Sequence, residues 1–598
     1  MSNLSAPPHW DLSPLFPSVD SPEFKLAFDQ IVADIQSLGA NFDTFGIHAN
    51  NNLPIGPDLA ETYDVITNSL NSVLKDFYLI SSYLGCLTSV DATDETARSA
   101  ESLLYNHSVT LDPLLMRYTA WTGSMDIISL TSQSSTATAH KYSLLKAAYL
   151  ANHQMSEIEE ELAAALRPSG ISGWSRLHGE MSALMTADLT LDGETKRLPI
   201  TKIRSLSTDS NRSTRREAYN AEIATWELHA VPFAAAMNGV KGYQTTVRKR
   251  RKYANDLEPT LHMNGIDLET LNAMHAACKE GFVDIQRFYR IKAKSLGIEK
   301  LAWYDLLAPV GTASRNWSWD EAKEFVLTNF GKFSPKMREL ADTAFRDNWV
   351  DAEPRLGKEG GAYCTSARNG DSRIMMNYDG SFSGVSTLAH ELGHAYHNLT
   401  LTGRPPLQRE TPMTLAETAS IFCETLSFDA ALERADEQET LTLLDTSISR
   451  DSAVIVDIHS RFLFETRLFE MRQTRDVSIA EMCNLMVEAQ RDTYGEELET
   501  YHPYMWAVKG HYYGPTFYNY PYTFGLLFGL GLYMQFKNEP NGFCEKYDDF
   551  LSSTGLADAR TLAARFGVDI ADIGFWRTSI DYIRGQIDQF EALVNKHA

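Results

Sequence analysis

The stretch that decides the fold is Ser386-Thr-Leu-Ala-His-Glu-Leu-Gly-His-Ala-Tyr-His397. His390 and His394 are four residues apart, so on a helix they lie one turn apart on the same face. At this spacing both imidazoles can reach one zinc ion, and Glu391 can take a proton from a water molecule at the metal. The apolar residues around them predict a buried helix, in which histidines and a glutamate are costly unless something such as a metal satisfies them. The alternative is an amphipathic helix with two ordinary histidines.

A second buried helix, predicted over Thr414-Leu-Ala-Glu-Thr-Ala-Ser-Ile-Phe-Cys-Glu424, offers the third ligand. A catalytic zinc takes three protein ligands and keeps one position open, and Glu417 is the best third candidate. Glu417 and Glu424 are seven residues apart and share a face, so we expect one on the metal and one behind a ligand histidine. Pairing with core arginines is the alternative for both. His397 lies too far along its helix to share the ion with both other histidines, and is expected to support the site or the fold.

A tyrosine-rich segment, residues 511–522 with the sequence H-Y-Y-G-P-T-F-Y-N-Y-P-Y, forms the other constellation; we name it the tyrosine loop. Eight of the 26 tyrosines lie between Tyr501 and Tyr533. Hydrolysis of an amide builds negative charge on the carbonyl oxygen, and Tyr hydroxyl or His N–H donors aimed at that oxygen stabilise it. The Gly and Pro residues predict a shaped loop over a cleft. An aromatic core segment is the alternative, and it suits Tyr533 best.

Length and composition are typical of a globular protein with more than one core: 598 residues, of which 43% are apolar and 22% charged. The net charge of −24 argues against binding to nucleic acid or to an anionic membrane. The six cysteines include no CxxC pair, which is typical of a reducing compartment. The N-terminus shows no secretory pattern, and the longest uncharged stretch, residues 510–536, contains a histidine and prolines. We therefore expect a cytoplasmic protein without a membrane span.

Apolar spacing predicts helices over most of the chain, namely residues 22–166, 208–350 and from 414 onward except 501–522. Residues 186–201 alternate around Asp192-Gly193 and predict a β-hairpin. A domain boundary near this hairpin gives an N-terminal helical domain, 1–200, and a catalytic domain, 201–598. Short β-like runs at 360–364 and 373–378 precede the H-E-x-x-H helix, where an exposed strand edge can hold an extended peptide.

The motifs H-E-L-G-H-A-Y-H, E-T-A-S-I-F-C-E and H-Y-Y-G-P-T-F-Y-N-Y-P-Y, in this order, resemble the M3 family of zinc oligopeptidases. The resemblance is strongest to the oligoendopeptidase F branch, extends to W-D-L-S-P-L-F-P at residues 10–17, and covers essentially the whole chain. It implies a mainly α, zincin-type helical metallopeptidase with a deep central channel and a small β-sheet beside the H-E-x-x-H helix. It also implies an enzyme that cuts short peptides internally and excludes folded proteins.

The resemblance also implies residue roles. The ligands of one Zn²⁺ per chain would be His390, His394 and Glu417, with Glu391 as general base. The residues that bind substrate or stabilise the oxyanion would be His511 and Tyr520, with Tyr513 and Tyr518 as further helpers. The tyrosine loop aligns with the thimet-type branch only across a gap, so the resemblance does not decide which tyrosine points at the carbonyl oxygen. Residues 360–378 would supply the substrate-binding edge strand.

The sequence thus predicts a zinc-dependent oligoendopeptidase, with short peptides as partners and a monomer in preference to an oligomer. The closest alternative is a metallocarboxypeptidase on a similar helical zincin scaffold. Such an enzyme needs a cation for the terminal carboxylate of its substrate, which Arg368 or Arg373 could supply. A non-catalytic peptide-binding protein with a retired metal site is a third possibility. It is disfavoured because such a site has no need to keep Glu391.

Overall fold

A computed structural model describes residues 6–49, 55–191, 193–311 and 315–597. The chain forms two compact units, each built from three segments. The first unit contains Met1–Gln154, Arg315–Ala431 and Gln535–Gly567. The second contains Met155–Ser314, Leu432–Met534 and Val568–Ala598. Helices dominate both units, which confirms the mainly α prediction.

The first unit begins with long helices whose starts follow ordinary capping chemistry. The Ser21 hydroxyl accepts the Phe24 N–H, and the Asp94 carboxylate accepts the Ala97 N–H. Buried residues recur at three and four spacings, so the helices pack around one apolar core. The helices of this unit are Pro22–Thr44, Pro57–Val90, Glu95–Gly123, Ile127–Gln133, Ser135–Ala139, Lys141–Asn152, Trp319–Phe333, Pro335–Arg346, Phe382–Thr400, Met413–Ala416, Thr418–Leu432, Phe543–Leu551 and Ala559–Ala563.

A small three-stranded sheet precedes the H-E-x-x-H helix. Its central strand, Ser372–Met375, pairs in parallel with Val350–Asp351 and antiparallel with Tyr363–Ser366. The strand Tyr363–Ser366 lies at an edge of the sheet and contacts the helix Phe382–Thr400. These contacts confirm the predicted small sheet beside that helix.

The second unit contains the predicted hairpin, with strands Thr186–Leu191 and Glu194–Pro199 in antiparallel register. Gly193 takes a positive φ of 82°, as a tight turn requires, and Asp192 lies outside the described residues. The helices of this unit are Glu157–Leu166, Ile171–Leu184, Ile200–Ser205, Arg212–Leu228, Ala230–Arg250, Glu258–Met263, Leu268–Ser295, Glu437–Ser452, Ile458–Arg472, Ile479–Tyr494, Met505–Val508, Tyr520–Asn538 and Ile573–His597, with a π-helix at Ala453–Asp457.

The units do not follow the predicted division into residues 1–200 and 201–598. The chain passes between them several times, so residues 1–154 pack with 315–431, whereas the hairpin belongs to the second unit. Motif spacing describes the order of segments along the chain and not the packing of distant ones. Within the described ranges, no helix is both long and apolar enough to cross a bilayer.

Candidate metal centre and active site

The helix Phe382–Thr400, which we call the metal helix, presents the two histidines. Its N-terminus is capped by the Ser381 hydroxyl, which accepts the Gly384 N–H at 3.1 Å. Leu388 and Leu392 are fully buried and fix the rotation of the helix about its axis. The four-residue spacing along this helix brings the two imidazole rings, His390 and His394, within 5.0 Å of each other at their centroids.

Glu417 completes a group of three potential metal ligands with these histidines. Its Oε2 lies 3.3 Å from His390 Nε2 and 3.4 Å from His394 Nε2. The ligand atoms of the three residues all lie within 4.8 Å of one another. Two imidazole nitrogens and one carboxylate oxygen are the donor set of a hydrolytic zinc site. The three side chains are 23%, 24% and 28% exposed, so a substrate or a water molecule can reach them.

Glu417 sits at a break in the predicted second helix. That helix is divided into Met413–Ala416 and Thr418–Leu432, and Glu417 between them has φ −87° and ψ 2°. The Ser420 hydroxyl donates to its Oε2 at 2.7 Å. Burial acts to raise the pKa of Glu417, but the hydrogen bonds from His390 and His394 hold that pKa well below its usual range. The carboxylate is therefore ionised, as a metal ligand must be.

Glu391 lies beside the three potential ligands and is only 5% exposed. Its Oε2 has no hydrogen-bond partner within the described part of the chain. Burial raises the pKa of Glu391, and the neighbouring histidines offset part of this effect. An orphaned buried carboxylate oxygen beside a donor group of this kind fits a site that holds a metal ion and a water molecule.

Two further residues predicted beside the metal ligands, Glu424 and His397, have different partners. Glu424 Oε2 accepts the Nδ1 proton of His390 at 3.2 Å, and the Ser386 hydroxyl donates to Glu424 Oε1 at 3.1 Å. His397 is buried, and its Nε2 lies 2.9 Å from the Thr554 hydroxyl. Burial lowers the pKa of His397 to about 4, so it is neutral. Glu424 thus orients a potential ligand, whereas His397 joins the metal helix to its neighbour in the first unit.

A cavity of about 630 Å³, which we call the metal cavity, opens over these side chains. Tyr363 and Cys364 of the edge strand form part of its wall. Among the described residues, no strand pairs with the outer edge of that strand. Neither arginine of the carboxypeptidase alternative lines this cavity. Arg373 is 1% exposed and donates to the Asp11 and Ser372 carbonyls, and Arg368 lies over the Phe16 ring.

The tyrosine loop belongs to the second unit and forms two layers. In the more exposed layer, His511 Nδ1 lies 2.7 Å from the Asn519 side-chain oxygen. The Tyr518 and Tyr522 rings lie 4.9 and 6.2 Å from the His511 ring at their centroids. Asn519 is 3% exposed and fixes the His511 ring, a role that was not predicted from the sequence. The feature of the sequence that could have indicated this role is an asparagine amide among the tyrosines of the loop.

The deeper layer contains Tyr513 and Tyr520, each 1% exposed. The Tyr513 hydroxyl donates to the Phe233 carbonyl at 3.3 Å, and the Tyr520 hydroxyl donates to the Thr260 carbonyl at 3.0 Å. Both hydroxyl protons are therefore already bound by the main chain of the second unit. Of the four predicted loop residues, only His511 and Tyr518 present partly exposed polar groups in this conformation.

Comparison with known proteins decides the family. The family model for peptidase family M3 matches residues 205–581, a range that contains every candidate site residue. The chain belongs to peptidase family M3. The predicted resemblance is thereby confirmed.

Relatives of the chain include an oligoendopeptidase F homolog of Lactococcus lactis, 24% identical over 66% of each chain. The group B oligopeptidase PepB of Streptococcus agalactiae is 25% identical over 73% of each chain. A putative peptidase from Chlamydophila abortus has a similar fold, with a TM-score of 0.82 at 20% identity, covering 98% of this chain and 100% of that one. The oligoendopeptidase-F structure from Enterococcus faecium gives 0.69 at 14% identity, covering 96% and 99%.

Proposed function

We propose that this M3 peptidase is a zinc-dependent oligoendopeptidase that hydrolyses internal bonds of short peptides in the cytoplasm, with one zinc ion per chain. The observation that carries the proposal is the convergence of His390, His394 and Glu417 beside the orphaned carboxylate of Glu391. The names of the bacterial relatives, oligoendopeptidase F and oligopeptidase, support short peptides as the substrate class.

The edge strand Tyr363–Ser366 supplies a means of holding the substrate. It pairs with Ser372–Met375 on one side, and its residues Tyr363 and Cys364 line the metal cavity. An extended peptide can add to such an edge through main-chain hydrogen bonds, which are independent of side-chain identity. The peptide would then run past the potential ligands and Glu391 in a fixed register.

In the proposed reaction, different side chains hold the metal, transfer the proton and contact the oxyanion. A zinc ion held by His390, His394 and Glu417 would supply Lewis acidity toward the substrate carbonyl and a water molecule. Glu391 takes the proton from the attacking water and passes it to the leaving amine. Among the loop residues, His511 and Tyr518 are the partly exposed groups that could donate to the oxyanion. Tyr520 and Tyr513 would serve there only after their hydroxyls leave the carbonyls that bind them.

Two variants separate metal binding from proton transfer. Glu391→Gln removes the base but no ligand atom, so it should retain one zinc per chain and lose turnover by a factor of about 10² or more. His394→Ala removes a ligand, so it should lose both zinc and turnover. Metal content is measured by elemental mass spectrometry, and turnover with a fluorogenic peptide.

Glu433→Gln is the matched control, because it makes the same substitution at an exposed glutamate outside the metal cavity. It should behave as the unaltered chain. Full turnover in Glu391→Gln would remove Glu391 from the mechanism. Full zinc occupancy in His394→Ala would overturn the ligand assignment.

A further inference from the structure

The second unit contains a cavity of about 220 Å³ that shares no lining residue with the metal cavity; we call it the cationic cavity. Aromatic and aliphatic side chains form much of its wall, among them Tyr219, Trp303, Tyr304 and Leu307. The charged and ionisable residues that line it are Arg204, Arg215, Arg461, Lys509, Glu222, Asp457 and His502. Cations therefore outnumber carboxylates on the wall.

Ion pairs neutralise the three arginines but not the lysine. Arg204 pairs with Glu222 at 2.9 Å, Arg215 with Asp305 at 2.8 Å, and Arg461 with Asp457. The Lys509 ammonium forms no ion pair among the described residues; the nearby Asp457 and Glu222 carboxylates, which act to raise the pKa of Lys509, each pair with an arginine instead.

The Lys509 ammonium keeps its charge at neutral pH. Burial, and secondarily the charge of Arg461, lower the pKa of Lys509 to about 8, so the group is still mostly protonated at pH 7. The cavity thus contains one ammonium that has no ion-pair partner of its own, in partly buried surroundings where a charge without a close partner is costly.

The cavity wall also contains hydrogen-bond donors without acceptors. The Nε atoms of Arg215 and Arg461 are buried and have no partner within the described ranges. Their side chains are 3% and 12% exposed, so bulk water cannot satisfy them freely. Buried donors of this kind are rare in folded proteins and point to an acceptor that the chain itself does not supply.

We propose that the cationic cavity binds a small monocarboxylate with an apolar body. Its carboxylate would accept hydrogen bonds from Lys509 Nζ and from the Arg461 guanidinium, and its apolar part would pack on Trp303 and Leu307. A single negative charge matches the single unpaired ammonium, and the aromatic walls suit an apolar body better than a bare inorganic anion. The carboxylate could belong to a free organic acid or to the C-terminus of a short peptide.

Occupation of this cavity has a short route to the tyrosine loop. Arg461 Nη1 donates to the Asn519 side-chain oxygen at 3.1 Å, and His511 Nδ1 lies 2.7 Å from the same oxygen. Lys509 is two residues before His511 in the chain. A carboxylate that accepts a hydrogen bond from Arg461 therefore alters the hydrogen bonding that positions the His511 ring. Its consequence for catalysis rests on the role proposed above for His511.

Calorimetry with N-acetyl-L-leucine and N-acetyl-L-leucinamide, which differ only in the carboxylate, tests binding on the full-length metal-loaded chain. The acid should bind at least about tenfold more tightly than the amide, because charge-assisted hydrogen bonds are lost with the carboxylate. Lys509→Met should remove this preference, and Lys202→Met, which removes an exposed lysine of the same unit, should keep it. Lys509→Gln is a second variant if the methionine does not fold.

Equal binding of acid and amide, or a preference that survives both Lys509 variants, would overturn the proposal. N-acetyl-Ala-Ala-leucine distinguishes the two sources: tighter binding than N-acetyl-leucine indicates a peptide C-terminus, and equal binding indicates a small free acid. None of these measurements requires peptide cleavage. Failure here is therefore distinguishable from failure of the proposed peptidase activity.

Discussion

At the scale of single residues, the His390 imidazole is held from both sides. Its Nε2 faces Glu417, while its Nδ1 proton is bound by Glu424, whose other oxygen accepts the Ser386 hydroxyl. A neutral His390 that keeps its Nδ1 proton for Glu424 presents Nε2 as the metal-binding nitrogen.

Glu424→Ala should therefore weaken zinc binding by about 10- to 100-fold, because the His390 ring loses the partner that orients it. Zinc affinity is measured by competition with a chromophoric chelator. Ser386→Ala is the control: it leaves the His390–Glu424 hydrogen bond in place and should change the affinity much less. Unchanged affinity in Glu424→Ala would contradict this role.

His459 predicts how the stability of the second unit depends on pH. Its ring is 3% exposed beside His275 and Phe282, and burial lowers the pKa of His459 to about 4, against about 6.5 in an unfolded chain. Below pH 6.5 the unfolded chain binds a proton that the folded chain does not. The stabilisation is thus complete above pH 6.5 and is lost as the pH falls toward 4.

Between pH 7.5 and 4.5, protonation of His459 in the unfolded chain should lower the free energy of unfolding by about 2–3 kcal/mol. His459→Phe should reduce the acid-induced loss by that amount, as measured by denaturant unfolding at the two pH values. His48→Phe, which makes the same substitution at an exposed histidine, is the matched control. An equal loss in His459→Phe would show that His459 is protonated in the folded state.

The sequence was sufficient for residues whose roles depend on local spacing and insufficient for those that depend on distant partners. His390, His394 and Glu391 share one helix, so the periodicity of that helix alone brings them together. The burial of Tyr520 depends on Thr260, 260 residues away in the chain, which no local pattern reveals. Asn519 was missed for the same reason, because its role depends on Arg461 as well as on His511.

At the scale of elements, the metal helix and the helix Thr418–Leu432 touch backbone to backbone at Gly393. A Cβ atom there would lie 2.6 Å from the Ala419 carbonyl oxygen and 2.7 Å from Ser420 Cα. This close approach brings Glu417 and Glu424 to the histidines. The sequence predicted both helices, but not the break at Glu417 or the tightness of this contact.

Gly393→Ala should force the two helices apart, lower the free energy of unfolding by about 1–3 kcal/mol, and weaken zinc binding. Gly85→Ala is the matched control in the same unit, since its Cβ would meet nothing within 4 Å. It should be neutral or stabilising by up to about 1 kcal/mol, because alanine favours helix. Thermal unfolding and zinc titration test both variants, and equal behaviour would contradict the close-contact account.

At the scale of the whole molecule, helix content and the hairpin were predictable from periodicity, whereas the interleaving of segments was not. The first unit joins residues 1–154 to 315–431 across more than 150 intervening residues. Such packing is decided by matching apolar faces that are far apart in the chain, such as Ala367 and Leu407 against the N-terminal helical core.

Metal binding should stabilise the folded chain as a whole. A ligand that binds only the folded state adds about 4 kcal/mol at a free concentration of 1,000 times its dissociation constant. A chelator should therefore lower the melting temperature, and added zinc should restore it. Glu417→Ala should melt at the same temperature with and without zinc. If zinc still raised the melting temperature of this variant, the metal would have to bind at another site.

The central claim is internal cleavage of short peptides by a metal centre with Glu391 as base. Its most direct test is mass spectrometry of the fragments from a peptide of about twelve residues blocked at both ends. We expect internal cuts that disappear with a chelator and in Glu391→Gln. Trimming from the C-terminus only when that end is free would indicate a carboxypeptidase, and no cleavage of either peptide by the zinc-loaded chain would contradict the account.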